Sequence, residues 1–183
     1  MNKLLLNRED AIAVYVDFQI SLIDAVYQAD MLKDKVVRMA KCLREMQVPF
    51  LVSQQYTKGL GDTHQDIKAS IGDFEHVEKM TFSCVKDPVF MKRLKASGKK
   101  TVIICGIESH ICVMQTALEL KELGYDVWLI ADCCSSRTAM DKEYAIKRMI
   151  HSGINVTTYE SAIYEMLETA KAKEFKAVSG IVK

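Results

Sequence analysis

Short, nearly continuous apolar runs alternate with segments of helical period along this chain, and that alternation limits what it can fold into. The runs are residues 11–16, 49–53, 101–105, 126–131 and 155–158, with a weaker sixth at 76–79. Apolar residues fill these runs instead of every second position, so both faces of each strand are buried. Between the first two, residues 30–46 carry Met31, Leu32, Val36, Met39, Ala40 and Leu43 as one helical stripe. Residues 88–96, 112–123 and 142–152 repeat the pattern, with Gly98, Gly124 and Gly153 as stops, and 161–175 reads as a further helix. Buried strands separated by helices specify a parallel sheet covered on both faces. The expectation is a single α/β domain over residues 1–183, doubly wound and Rossmann-like, with about six mainly parallel strands and helices on both faces. In such sheets ligands bind beyond the carboxyl ends of the strands.

Composition narrows the function classes. A formal net charge of +1 gives no reason to expect nucleic acid or an acidic membrane surface as partner. No apolar stretch approaches the roughly 20 residues of a membrane span. Residues 1–10 are too short and too soon charged for a signal peptide. The six cysteines lack zinc-type spacing and fit a reduced, cytoplasmic protein. The adjacent Cys133 and Cys134 read as ordinary thiols. Residues 56–72, with Gly59, Gly61 and Gly72, form the longest irregular segment and a candidate substrate loop.

Three chemistry-bearing residues fall at strand ends. Asp17 closes the first strand, Lys79 closes the short strand, and Cys112 follows the fourth strand after a Gly-led turn. At a helix N-terminus, unpaired N–H groups and the dipole favour the thiolate of Cys112. If the strand ends converge, a carboxylate takes the thiol proton while an ammonium holds both anionic groups. Such a cysteine attacks an amide or ester carbonyl, with backbone N–H groups of the preceding turn receiving the oxyanion. Each residue alone has an ordinary structural reading, as cap, surface lysine or packed thiol.

Other motifs do not fit. The stretch after the first strand lacks the Gly-x-Gly-x-x-Gly of a dinucleotide site, and His110 and Met114 stand where a nucleophile elbow needs glycines. His110, two residues from Cys112, is poorly placed as its base and reads as a turn or pocket residue. Asp62, His64, Asp73 and His76 match no standard metal-ligand spacing. Asp132 reads as a turn or cap residue, and Arg137 as structural.

Taken together, Asp17, Lys79 and the run Gly106-Ile107-Glu108-Ser109-His110-Ile111-Cys112 resemble the isochorismatase-like cysteine hydrolases, a superfamily that includes nicotinamidases and carbamoylsarcosine amidases. The similarity runs over almost the whole chain in the same order. It extends to Gly124-Tyr125-Asp126-Val127, to Ala131-Asp132 with Ser135-Ser136-Arg137, and to Thr157-Thr158-Tyr159-Glu160-Ser161. The resemblance implies Cys112 as nucleophile, Asp17 as general base and Lys79 as the cation that holds them. It also implies a cis peptide at Ile107-Glu108 and an oxyanion hole made by the N–H groups of Glu108 and Cys112. Nicotinamidases hold a metal through an Asp-x-His after the second strand. Here Ser53-Gln54-Gln55-Tyr56 offers no such ligands, so neither a metal nor another cofactor is expected. Isochorismatases of siderophore synthesis lack the nucleophilic cysteine that Cys112 supplies. The segment from Gln54 to Gly61 looks most like the isochorismatase-domain subgroup of small proteins.

The leading expectation is a metal-independent hydrolase of a small amide or carbamoyl substrate, passing through a thioester. Phe18, Gln19, Gln55, Tyr56, Phe82 and Ile111 are its expected pocket lining. The resemblance further implies a homo-oligomer, a dimer or larger, acting on a small molecule. Two alternatives remain open at this point: a silent binding or scaffold protein of the same fold, and a thiol redox sensor using Cys112.

Overall fold

Every residue of Ala11–Val16 (β1) is buried, as a strand covered on both faces requires. The structure is a computed structural model that describes residues 4–183; the start of the segment read for a signal peptide, residues 1–3, lies outside them. After β1 come α1 (Ile20–Ile23), α2 (Ala29–Glu45), β2 (Phe50–Gln55), α3 (Thr57–Leu60), α4 (Gln65–Ile71) and β3 (Val77–Lys79). They are followed by α5 (Pro88–Ala96), β4 (Thr101–Ile107), α6 (Met114–Glu122) and β5 (Asp126–Ser135). The described chain ends with α7 (Ala139–His151), β6 (Asn155–Thr157), α8 (Tyr159–Leu167) and α9 (Phe175–Val182).

The sheet has six strands in the order β3-β2-β1-β4-β5-β6, and every neighbouring pair is parallel. Helix α2 packs on α4, α8 and α9 over one face, while α6 and α7 pack together and, with α5, cover the other. The chain leaves β1 towards β2 and later returns to lay β4 on its other side. The carboxyl ends of β1 and β4 therefore frame the crevice where strand order reverses. Gly106 of β4 pairs with Val16. A Cβ there would stand 2.4 Å from the Val16 carbonyl oxygen, so only glycine lets the two strands close at this point.

The sheet matches the expected fold class, and the departures from expectation are local. Strands β4 and β5 run beyond the apolar runs that announced them, to Ile107 and Ser135. Cys133 and Cys134 are thus fully buried strand residues. The expected helix over 161–175 is two helices: α8 stops at Glu168, whose φ of 60° leaves the helical region, and α9 begins at Phe175. Residues 168–174 have too few apolar side chains to continue the buried stripe. The segment 56–72 is not irregular, because it contains α3 and α4. Ile67 and Ile71 bury one face of α4, and the His64 ring caps its N-terminus by accepting the Asp66 N–H.

Candidate active site

Asp17, Lys79 and Cys112 converge at the crevice between β1 and β4. Asp17 follows β1 directly, with a φ of 54°, a region that non-glycine residues enter at a cost of about 1–2 kcal/mol. Its backbone is pinned on both sides: its N–H donates to Ser53 O at 3.2 Å, and its carbonyl accepts the Gln19 N–H at 2.7 Å. The side chain has no solvent exposure. Lys79 Nζ donates to Asp17 Oδ2 at 2.6 Å and Ser53 Oγ donates to Oδ1 at 2.7 Å. The Cys112 thiol lies near enough to feel the charge of the same carboxylate.

The ammonium of Lys79 is as buried as its partner. Its three N–H groups have three acceptors: Asp17 Oδ2, Gln55 Oε1 at 2.7 Å and Thr81 O at 3.2 Å. Burial alone would pull this ammonium down, but Asp17 with the thiols of Cys84 and Cys112 lifts it above the ordinary lysine range. Removing one charge leaves the other buried without a counter-ion. Lys79→Met is therefore expected to cost about 3–5 kcal/mol of stability. Asp17→Asn combined with Lys79→Met should recover most of that loss in urea unfolding. Additive losses would show the pair is not energetically coupled.

Cys112 departs from expectation in its electrostatics. It does not open a regular helix; it lies in a π-type turn, Ser109–Val113, that leads into α6 at Met114. Burial pushes its thiol up to about 12, the Asp17 carboxylate adds to the rise, and Lys79 opposes it. Burial and the neighbouring carboxylate thus favour the protonated thiol over a helix-terminal thiolate. Its residue exposure is 7 %. The peptide Ile107-Glu108, just before the turn, is cis. Glu108 Oε1 accepts both the backbone N–H of Arg137, at 3.3 Å, and its Nε, at 2.9 Å. His110 Nδ1 meets Ser136 Oγ at 2.9 Å. Both Arg137 and His110 thus tie the turn to the end of β5.

The expected pocket lining divides into two groups. Phe18 and Gln19 are fully buried beneath the crevice. The Gln19 carboxamide is spent on backbone, donating to Gln55 O and Gly61 O and accepting from Gln55 N. Gln19 is a strut, and Gln55 is the holder of Lys79; its own Nε2 donates to Met80 O. Tyr56 and Phe82 are exposed at 44 % and 57 %, and Ile111 is half-buried. Ser53 was not among the candidate site residues, although a polar residue ending the apolar run Phe50-Leu51-Val52 was a signal that something there needs a hydroxyl. Thr81, whose carbonyl completes the Lys79 shell, carried no sequence signal at all.

The other polar residues serve the frame. Asp132 accepts the first N–H of α8 and pairs with Lys35. Asp62, held by Lys68 and Gln54, is pulled down to about 2. The side chains of Ser53, Gln54 and Gln55, where nicotinamidases place ligands, are all engaged with protein partners. They are neutral, and this donor set does not suit a divalent cation.

Comparison with known proteins identifies the family of this fold. Residues 11–161 match the model of the isochorismatase domain. Isochorismatase domain-containing protein 2 of Xenopus laevis is 35 % identical over 145 residues, which cover 79 % of this chain and 70 % of that protein. The structure described as MAR1 ribonuclease from Caenorhabditis elegans superposes with a TM-score of 0.91 at 28 % identity, covering 97 % of this chain and 92 % of that one. The ycaC gene product of Escherichia coli, described as an octameric hydrolase of unknown specificity, superposes at 0.93 with 23 % identity, covering 99 % and 90 %. With the domain model spanning most of the sequence and the fold shared almost end to end, the chain belongs to the isochorismatase family.

Proposed function

We propose that this isochorismatase-family protein is a cysteine hydrolase of small amide or carbamoyl compounds, working without a metal. The observation that carries the reading is one buried carboxylate, Asp17, that receives the Lys79 ammonium at 2.6 Å and acts electrostatically on the Cys112 thiol. A thiol pushed up by burial needs a base beside it, and Asp17 is the carboxylate whose charge acts on it. Asp17 takes the thiol proton as sulfur bonds to the substrate carbonyl carbon. The N–H groups of Glu108 and Cys112 receive the oxyanion. Collapse breaks the C–N bond, and the Asp17 proton leaves with the amine or ammonia. Water, giving a proton to Asp17, then hydrolyses the thioester and restores the thiol. Lys79 keeps its charge throughout and holds the carboxylate between steps.

The small exposure of Cys112 favours small substrates, and the exposed Tyr56 and Phe82 supply an apolar rim. A net charge of +1 supplies no excess of cations for a phosphodiester backbone, although the C. elegans relative bears a ribonuclease name. No described helix is long and apolar enough to cross a membrane. Assembly into a homo-oligomer belongs to the same reading, in line with the octameric E. coli neighbour.

The test uses p-nitrophenyl acetate as an acyl donor, followed by ammonia release from a panel of primary amides and carbamoyl compounds. Acetylation mapped to Cys112, turnover beyond one equivalent, and its loss in Asp17→Asn are expected. Turnover that persists in Asp17→Asn, or acetylation spread over other side chains, sinks the mechanism. A panel that yields no ammonia sinks the amide assignment.

A further inference from the structure

A second thiol and a hydroxyl serve the Asp17 carboxyl oxygen that Lys79 does not hold. Ser53, at the carboxyl end of β2, is fully buried and donates through Oγ to Asp17 Oδ1 at 2.7 Å. That bond commits its only proton, so Ser53 Oγ faces its other neighbour as an acceptor. The neighbour is Cys84, also fully buried, whose Sγ donates to Ser53 Oγ at 3.6 Å. Burial, reinforced by Asp17, pushes the Cys84 thiol up to about 11, so it keeps its proton to donate. Cys84 is fixed in turn by Thr116: its backbone N–H donates to Thr116 Oγ1 at 2.9 Å. Next to it, Ser83 Oγ donates to Glu119 Oε2 at 2.6 Å. Thr116 and Glu119 both stand on α6, the helix into which Cys112 leads.

A single polar chain therefore runs from α6 through Cys84 and Ser53 to the carboxylate that faces Cys112. We propose that Ser53 and Cys84 are positioning residues for the base: the Thr116–Cys84–Ser53 relay fixes the rotation of the Asp17 carboxyl group. One oxygen is then held by Ser53 and the other by Lys79 while the thiol is presented. This rests on the hydrolase reading above. Lys79 alone fixes one oxygen and leaves the carboxylate free to pivot about it, and the Ser53 bond removes that freedom. Neither residue touches substrate. Because the relay begins on α6, the base is registered against the helix that continues the nucleophile's turn, not only against its own strand. Sub-ångström alignment of base and thiol is where acyl transfer is most sensitive to small displacements.

The experiment measures acetylation of Cys112 by p-nitrophenyl acetate, with single-turnover rates and half-saturation, in wild type, Ser53→Ala, Cys84→Ala, Cys84→Ser and the double variant Ser53→Ala/Cys84→Ala. Ser53→Ala is expected to slow acetylation by about 10- to 100-fold with half-saturation unchanged. Cys84→Ala is expected to slow it less, and Cys84→Ser, which keeps a donor towards Ser53, to restore it. The double variant should be no slower than Ser53→Ala, because both act through one carboxylate oxygen. Losses that multiply, or a Cys84→Ser as slow as Cys84→Ala, would mean general packing roles and overturn the relay. If wild type reacts at Cys112 and Ser53→Ala matches it, the relay fails while the hydrolase reading stands. If wild type does not react at Cys112, the hydrolase reading fails first. Should Ser53→Ala not fold, the Cys84→Ala and Cys84→Ser pair decides the matter alone.

Discussion

Cys112→Ala is expected to lower kcat/KM by about 10⁴-fold or more, with the fold retained. The size of the loss follows from what the thiol does. With the thiol pushed up to about 12, little standing thiolate is present at neutral pH. Turnover therefore depends on transfer of the thiol proton to Asp17 as the carbon–sulfur bond forms. Alanine leaves Asp17 and Lys79 in place, and water in the vacated space is a poor, unpositioned substitute for the sulfur. Cys112→Ala deletes only one heavy atom, so its thermal unfolding should stay close to wild type. Activity within tenfold of wild type would remove Cys112 from the mechanism.

Asp17→Asn separates proton transfer from thiolate formation. Asp17 raises the Cys112 thiol and Lys79 lowers it, so the amide variant lowers the thiol's proton affinity while destroying the base. A mechanism run by a standing thiolate would speed up in that variant; one run by a positioned base loses turnover. A thiolate favoured by a helix terminus alone would give the first outcome; Asp17 as general base, which the resemblance implies, gives the second.

That difference shows what sequence patterning reaches and what it does not. The sheet was legible because its strands are doubly buried and therefore nearly uninterrupted in apolar residues, as in Ala11–Val16 and Val102-Ile103-Ile104. The convergence of Asp17, Lys79 and Cys112 was legible as strand-end placement, since parallel strands bring their carboxyl ends to one edge. The state of the thiol was not, because a helix dipole of fixed sign is outweighed by burial beside a carboxylate, and burial is a tertiary quantity. Gln19 and Gln55 were misplaced for a related reason. Polar side chains near a site can face a ligand or hold the frame, and only the observed bonds to Gly61 O and Lys79 Nζ decide between these. The break after α8 was missed because Glu168 leaves the helix through a left-handed φ that glutamate does not advertise.

The second large effect concerns stability: the fold should collapse abruptly between about pH 9 and 11. All six cysteines are buried and free. Burial raises every one of their thiols above the ordinary value of 9.0, to about 12 for Cys42, Cys112 and Cys134 and about 11 for Cys84, with Cys105 and Cys133 well above. Above pH 9 the unfolded chain sheds six protons that the native chain keeps, so the unfolded state binds fewer protons and stability falls as pH rises. Each such thiol contributes about 1.4 kcal/mol per pH unit. Six acting together give about 8 kcal/mol per unit, against a typical total of about 5–15 kcal/mol. Lys79, also raised, steepens the loss once pH passes 10.5, because the stability it lends is present below that value and disappears above it. Below pH 9 all of these groups are protonated in both states and the thiols contribute no slope. Urea unfolding across pH 7–11 measures this directly, and a flat profile to pH 11 would contradict the burial of the thiols. Cys42→Ala, remote from the crevice on α2, should flatten the slope by about one sixth, or about 1.4 kcal/mol per pH unit, and leave acetylation of Cys112 unchanged. A slope that disappears entirely in that variant would assign the alkaline transition to one thiol in place of six.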